Sequence, residues 1–444
     1  MRKTSLHALT LMLALCAALI SVFGLSSCSS RGGEVKTSYS GIVSAHLNER
    51  GELIVSYADG REQNLGAVSN EGTVVNIEGG SSDVSVATTK GLASAVSITA
   101  NFEKTYKNSY GGIFPGYGSG GSSTVPYQSE GAGVIYKLDR STGSAFIITN
   151  YHVVYDKSCD TADGISDDIE VFLYGAEEEG YAISAEYVGG SLYYDIAVLY
   201  VENCAALKNS AHDAPIIADS ESVAVGTTAI AIGNPEGYGI SASLGIVSVS
   251  SEYITVTSAD GVSAISCRVM RVDTAVNSGN SGGGLYNERG ELIGIVNAKI
   301  MDSTVENIGY AIPSNVAASV ADNIIDNCFG KSNRSVKRAV LGATLTSSDS
   351  IAVIDEKDGL IKIKETVSVG EIAKGSAVEG KLVVGDILES VTLNGETVEI
   401  TRRHHVIDFM LNARVGDTVT FGILRGGEKK AVEIVIDESS IVEY

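Results

Sequence analysis

Asn277-Ser278-Gly279-Asn280-Ser281-Gly282-Gly283-Gly284-Leu285 sets a serine inside a glycine-rich turn between two apolar runs, and its reading decides the fold. Two other stretches belong with it. Phe146-Ile-Ile-Thr-Asn-Tyr-His152-Val-Val delivers a histidine at the end of a strand-like run, and Tyr194-Asp195-Ile-Ala-Val-Leu-Tyr sets an aspartate directly before an apolar one. A serine hydroxyl is a poor nucleophile until an imidazole takes its proton. The imidazole in turn needs an acid to fix its tautomer and stabilise its cation. Glycines let the backbone turn sharply, so that N–H groups converge where charge grows on the substrate oxygen. These rules assign His152 as base, Asp195 as its partner and Ser281 as nucleophile. Gly279 and Ser281 N–H become the oxyanion donors, with Asn280 shaping that loop. Taken singly each signal is weak; the order His, Asp, Ser, at spacings of 43 and then 86 positions, makes the set specific.

Gly279-Asn280-Ser281-Gly282-Gly283 also satisfies the G-x-S-x-G nucleophile elbow, which needs a strand-to-helix turn and the order Ser, Asp, His. Here Leu285 opens a strand-turn-strand passage, and the only later histidines are His404 and His405. The elbow reading fails. Around the three stretches, short β-branched runs alternate with turn signals at 133–138, 145–149, 169–174, 183–188 and 196–201. A second set follows at 228–232, 245–250, 269–271, 292–296 and 309–312. A strand is also expected over 92–102, and one convincing helix over 314–328, with Val316, Val320, Ile324 and Ile325 on one face. Roughly a dozen strands closed by a helix predict a mainly β protein built on a pair of antiparallel barrels. Before them, turns at 48–51 and 59–60 divide a small β-meander of unreadable function.

The 444 residues carry 32 Lys+Arg against 54 Asp+Glu, a net charge of −22 that excludes a nucleic-acid partner by repulsion from phosphate. With 50 glycines and only 5 prolines, the composition favours tight turns over disorder. Arg2 and Lys3 precede an apolar run over 6–23, followed by Leu25-Ser26-Ser27-Cys28. This resembles a bacterial lipoprotein signal, with cleavage before Cys28 and lipid on its sulfur. Its removal takes the net charge from −22 to −24, and several chains on one cysteine give a stable membrane anchor. Cys159, Cys204, Cys267 and Cys328 lack metal-ligand spacing, so no metal is expected. Three disulfide pairings or four buried thiols fit them equally. Two basic runs stand out: 331–338, read as a linker or a solvated charge run, and 402–405, read as a solvated loop.

Three further passages, Ala231-Ile-Gly-Asn-Pro, Asp273-Thr-Ala-Val-Asn and Gly309-Tyr-Ala-Ile-Pro-Ser, join the histidine, aspartate and serine stretches. Together they resemble the HtrA/Deg family of chymotrypsin-like serine proteases from about Leu92 onward, with departures at Ser278 and Gly284, where many members have proline. The resemblance implies a double six-stranded β-barrel over 91–330 and a PDZ-like domain over 339–444; the residues themselves give a linker over 331–338, a signal over 1–27 and a β-rich segment over 28–90. Together with the lipoprotein signal, the resemblance implies a membrane-tethered, extracytoplasmic endopeptidase acting on unfolded or damaged exported proteins, usually as a homotrimer and without a cofactor. A catalytically silent peptide-binding scaffold is the alternative, and a serine esterase is a second rival. By the family's pattern Ala275, six residues before the nucleophile, and Val276 floor the specificity pocket. Neither is acidic, so apolar rather than cationic side chains are expected there. Val340-Leu341-Gly342-Ala343 resembles a PDZ carboxylate-binding loop, which would take C-terminal peptides by strand addition.

Overall fold

The computed structural model describes residues 42–47, 52–57, 62–67, 84–107, 122–300, 308–355 and 359–443. The signal, Cys28, the tether, the turns of the meander and most of the glycine-rich stretch over 110–123 lie outside them. The chain divides into two compact units, 1–81 and 82–444. In the first, β1 (Ile42–Leu47), β2 (Glu52–Tyr57) and β3 (Glu62–Ala67) form the expected antiparallel meander.

The second unit begins with a helix, Val84–Ser94, and only then a strand, β4 (Ala95–Lys107). The expected strand over 92–102 therefore starts late. Gly91 on this helix lies against the Ile232 and Tyr286 side chains, with room for no Cβ. Six strands close the first barrel: β4, β5 (Ser122–Asp139), β6 (Ser144–Thr149), β7 (Asp168–Leu173), β8 (Ile183–Ser191) and β9 (Ile196–Val201). Another six close the second: β10 (Thr228–Gly233), β11 (Ser241–Thr257), β12 (Ala264–Val272), β13 (Gly284–Tyr286), β14 (Leu292–Val296) and β15 (Gly309–Pro313). The dozen strands in two sets are thus present, although β5 and β11 extend well beyond their apolar cores into exposed ribbon.

Besides a core of its own, each barrel contributes to a shared one. Val134, Ile148, Ile196 and Val198 of the first pack in one cluster with Ile230, Ile232, Ile295 and Ile312 of the second. The helix Ser314–Cys328 seals that cluster with Val316, Val320 and Ile324, the face read from its periodicity. The four cysteines are free thiols. Burial pushes Cys267 and Cys328 up to about 11, which makes them poor nucleophiles.

The basic run 331–338 is neither loose nor fully solvated. Arg334 donates to the Tyr187 carbonyl at 2.6 Å, Arg338 to the Tyr194 hydroxyl at 2.7 Å, and β16 (Lys337–Ala339) pairs with the last strand, β23 (Ile441–Glu443). Beyond it, β17 (Ala343–Ile354), β18 (Ile361–Ile372), β19 (Ile387–Leu393), β21 (Thr418–Arg425) and β22 (Glu428–Val435) form one sheet, with β20 (Glu396–Glu399) off β19. Val367, Val391, Phe421 and Ile434 centre its own core, and Arg425 grips Asp386 through Nε and Nη2, both at 2.7 Å. The run 402–405 is not a solvated loop: it opens the helix Arg403–Phe409, and His404 is 2% exposed. Adjacent charges said nothing of this, because the surface covering them comes from a distant part of the chain.

Leu199 is fully buried in the first barrel's core. Leu199→Ala removes apolar surface and leaves a cavity, so about 2–5 kcal/mol of stability is expected to be lost. Urea unfolding followed by far-UV circular dichroism checks this, and a loss below about 1 kcal/mol contradicts the barrel core described above.

Candidate active site

A cleft of about 970 Å³ runs between the barrels, lined by His152 and Tyr127 on one side and by Asn277, Gly279, Ser281 and Ala298 on the other. β6, apolar on its buried side up to Thr149, gives way to Asn150, and a single turn, Tyr151–Val154, turns His152 into the cleft. Asp195 sits in the tight turn before β9 at φ 52, a left-handed conformation that aspartate tolerates better than most residues. Its backbone oxygen accepts from Asn150 Nδ2 at 2.8 Å, tying the two turns together.

The Asp195 carboxylate has three donors. His152 N–H meets Oδ1 at 3.0 Å; the His152 Nδ1 position lies 2.7 Å from Oδ2, and Asn297 Nδ2 donates to the same oxygen at 2.8 Å. Burial would raise this carboxyl, but the His152 charge and hydrogen bonds, with the bond from Asn297, outweigh it. They hold Asp195 below the usual carboxylate range. A persistent anion there fixes Nδ1 as the protonated ring nitrogen and leaves Nε2 as the base facing the cleft.

Ser281 lies on the second barrel's side of that cleft, 5% exposed. Its hydroxyl oxygen accepts from the Ala298 N–H at 3.2 Å, and among the described residues no hydrogen bond joins it to His152. The loop that carries it is held from both sides. The Ser281 carbonyl accepts from Ala132 N–H of the first barrel at 2.8 Å, and Glu236 N–H reaches the Ser278 carbonyl at 2.9 Å. Gly279 (φ 89) and Gly282 (φ 84) need left-handed backbone. A Cβ on Gly279 would lie 2.1 Å from the Asn234 oxygen, and one on Gly282 2.2 Å from that of Ala132. Among the described residues the N–H groups of Gly279 and Ser281 have no acceptor, which leaves them available to an oxyanion. Asn280 N–H is instead used within the loop, on the Asn277 carbonyl at 3.0 Å, so Asn280 shapes the turn and is not a donor to substrate. The departure from proline at 284 has a local cause: a Cβ there would lie 2.3 Å from the Tyr286 hydroxyl, which is buried against Ser94.

Two sequence assignments move. Ala275 and Val276 do not line the cleft among the described residues. Strand-like alternation turns Val276 into the second barrel's core beside Val272, and the Ala275 carbonyl accepts from Ser243 and Asn280. Asn297 went unread, since a lone asparagine after an apolar strand carries no signal until folding brings it 102 positions back to Asp195. Leu341, Gly342 and Ala343 do lie together, in a separate groove of about 680 Å³ between the start of β17 and the helix Arg403–Phe409. Tyr193 and Arg338 form its wall nearest the barrels.

The family model described as trypsin-like peptidase domain matches residues 131–295. Serine protease Do-like HtrA of Bacillus subtilis (strain 168) is 31% identical over 331 residues, covering 73% of this chain and 67% of that protein. Serine protease Do-like HtrA of Lactococcus lactis subsp. lactis (strain IL1403) is 29% identical over 374 residues, covering 81% and 83%. The periplasmic pH-dependent serine endoprotease DegQ of Escherichia coli (strain K12) is 32% identical, covering 71% and 61%. Among solved structures, the HtrA-type protease AlgW with tripeptide aligns at 24% identity and a TM-score of 0.49, over 80% of this chain and 97% of that one.

Asn297→Ala removes one of three donors to a buried charge, worth about 1.5–3 kcal/mol. If Asp195 orients the base, kcat on a peptide substrate should fall about tenfold or more with KM little changed. The stability Asp195 contributes is complete above the unfolded carboxyl value of about 3.9 and is lost as pH falls through its depressed folded value. Without Asn297 that loss should begin at higher pH. Unchanged kcat together with an unchanged acid edge in thermal melts would rule this positioning role out.

Proposed function

This chain belongs to the HtrA family of serine proteases, and from that premise we propose that His152, Asp195 and Ser281 cleave unfolded or damaged exported proteins through an acyl-enzyme. The protein is a serine endopeptidase. The observation that carries the residue assignment is the His152–Asp195–Asn297 network facing Ser281 across one cleft. On substrate entry the Ser281 hydroxyl leaves the Ala298 N–H and gives its proton to His152 Nε2 while Oγ attacks the peptide carbonyl. Asp195 stabilises the imidazolium, and Gly279 and Ser281 N–H hold the oxyanion. His152 then protonates the departing amine, and a water activated by the same nitrogen releases the acyl group. The bond missing between His152 and Ser281 fits a resting site, since catalytic hydrogen bonds commonly tighten only around substrate.

The cleft's size suits an extended peptide, and the second groove supports a PDZ-like site for C-terminal peptides. There the N–H groups of Leu341 and Gly342 have no acceptor among the described residues and could receive a carboxylate, while Val406, Ile407 and Met410 offer an apolar wall. The lipoprotein-signal reading supports an extracytoplasmic protein tethered through Cys28. The periplasmic placement named for DegQ agrees with export. Among the described residues no helix is long and apolar enough to cross a membrane. A homotrimer follows only from the family.

Ser281→Ala deletes the nucleophile without opening a core cavity. Casein cleavage and fluorophosphonate labelling should both vanish, with the melting temperature shifted little. Retained cleavage would overturn the assignment, and a wild-type chain that neither labels nor cleaves would favour the scaffold reading. Cys28→Ser should move the protein out of the membrane fraction or block its maturation. Unchanged partition with unchanged mass would refute the anchor.

A further inference from the structure

Three side chains outside the cleft converge where the second barrel meets the C-terminal sheet. Glu221 comes from the single turn Ser220–Ser222 ahead of β10, and His404 and His405 from the first turn of the helix Arg403–Phe409. His404 Nε2 lies 3.0 Å and His405 Nε2 3.1 Å from the same oxygen, Glu221 Oε2, and the three atoms all lie within 4.8 Å of one another. The two imidazoles stand at 89°, centroids 4.7 Å apart, so neighbours in sequence aim at one point from different directions. We propose that Glu221, His404 and His405 bind a divalent transition-metal ion of the zinc class, which clamps the C-terminal sheet to the protease barrels.

The geometry suits such an ion. Metal–ligand bonds of about 2.0–2.1 Å in a tetrahedron set ligand atoms roughly 3.3 Å apart, close to the two nitrogen–oxygen separations already present. Two imidazoles and one carboxylate favour zinc, nickel or copper over calcium and magnesium, which take oxygen ligands. The surroundings also orient the ligands. Arg268 Nη1 holds the other Glu221 oxygen at 2.7 Å, leaving Oε2 for the ion. His405 Nδ1 lies 3.0 Å from the Glu399 carbonyl and 3.3 Å from the Thr401 N–H; when the ring proton sits on Nδ1 and is donated to that carbonyl, Nε2 is free to ligate an ion. Charge permits the ion: Arg268 is offset by Asp408, 2.8 Å from its Nη2, so the Glu221 carboxylate remains as net negative charge beside the two imidazoles. The Glu221 side chain is 34% exposed, so solvent can reach the site and supply a fourth ligand.

The consequence is mechanical. The same helix lines the Leu341-Gly342-Ala343 groove with Val406 and Ile407, so an ion at its first turn holds that wall on the barrel. The test uses the purified full chain, stripped with chelator and titrated with Zn²⁺ by calorimetry, with bound metal counted by elemental analysis. Wild type should bind one Zn²⁺ at this site and gain thermal stability with Zn²⁺ concentration but not with Mg²⁺. Glu221→Gln and His405→Gln, conservative changes at the partly exposed ligands, should each weaken binding by roughly tenfold or more and abolish the thermal shift. X-ray absorption at the zinc edge of the wild-type protein should show two imidazole ligands, a readout independent of how any variant folds. Absence of stoichiometric binding, variants that bind as wild type does, or a zinc shell without two imidazoles would each overturn the proposal.

Discussion

One backbone hydrogen bond, Ala132 N–H to the Ser281 carbonyl at 2.8 Å, joins a strand of the first barrel to the loop carrying the proposed nucleophile in the second. It forms because Gly282 has no side chain: any Cβ there would run into the Ala132 oxygen and the Thr149 hydroxyl. Thr149 is the last residue of β6, the strand that delivers His152. Base and nucleophile are therefore positioned against each other by direct contact of their own supports. Neither barrel alone contains a site. The shared core beneath, sealed by the helix Ser314–Cys328, turns that contact into a rigid relation.

Within this frame the electrostatics depend on a buried anion. Asp195 leaves water, which is costly for a carboxylate, and three hydrogen bonds from both barrels compensate. His152 contributes two of these bonds from the first barrel, and Asn297 the third from the end of β14 in the second. The neighbouring Tyr193 and Tyr194 extend the arrangement outward. Arg338, next to the C-terminal sheet, bonds the Tyr194 hydroxyl and lies over the Tyr193 ring at 5.8 Å. The turn holding Asp195 is thus packed on one side by the element that connects to the second groove.

How much of this was legible depended on the range of the interaction. The helix Ser314–Cys328, the strands β9 and β14 and the placement of His152 and Asp195 beside apolar runs are matters of neighbours in sequence, and pattern suffices for those. The late start of β4 was missed because residues 92–94 join directly onto the apolar, β-branched run that was read as strand. What decided it was Gly91 fitting against Ile232 and Tyr286 from the far barrel. Val276 was taken for part of the pocket floor because it follows Ala275, six residues before Ser281, yet alternation along its own strand-like run turns it into the core.

The sequence by itself determined a mainly β chain of two barrels, the family to which it belongs, and three reactive residues in the order His152, Asp195, Ser281, because glycine spacing and strand periodicity are written locally. Only the tertiary structure decided that Asn297 completes the Asp195 network and that the Ser281 hydroxyl rests on the Ala298 N–H. It likewise decided that the basic run over 331–338 is pinned and that His404 and His405 meet Glu221 from 183 and 184 positions away. Such pairings follow from how closed sheets stack against one another. Their partners are set by the packing of whole faces, and no short window of residues contains both members.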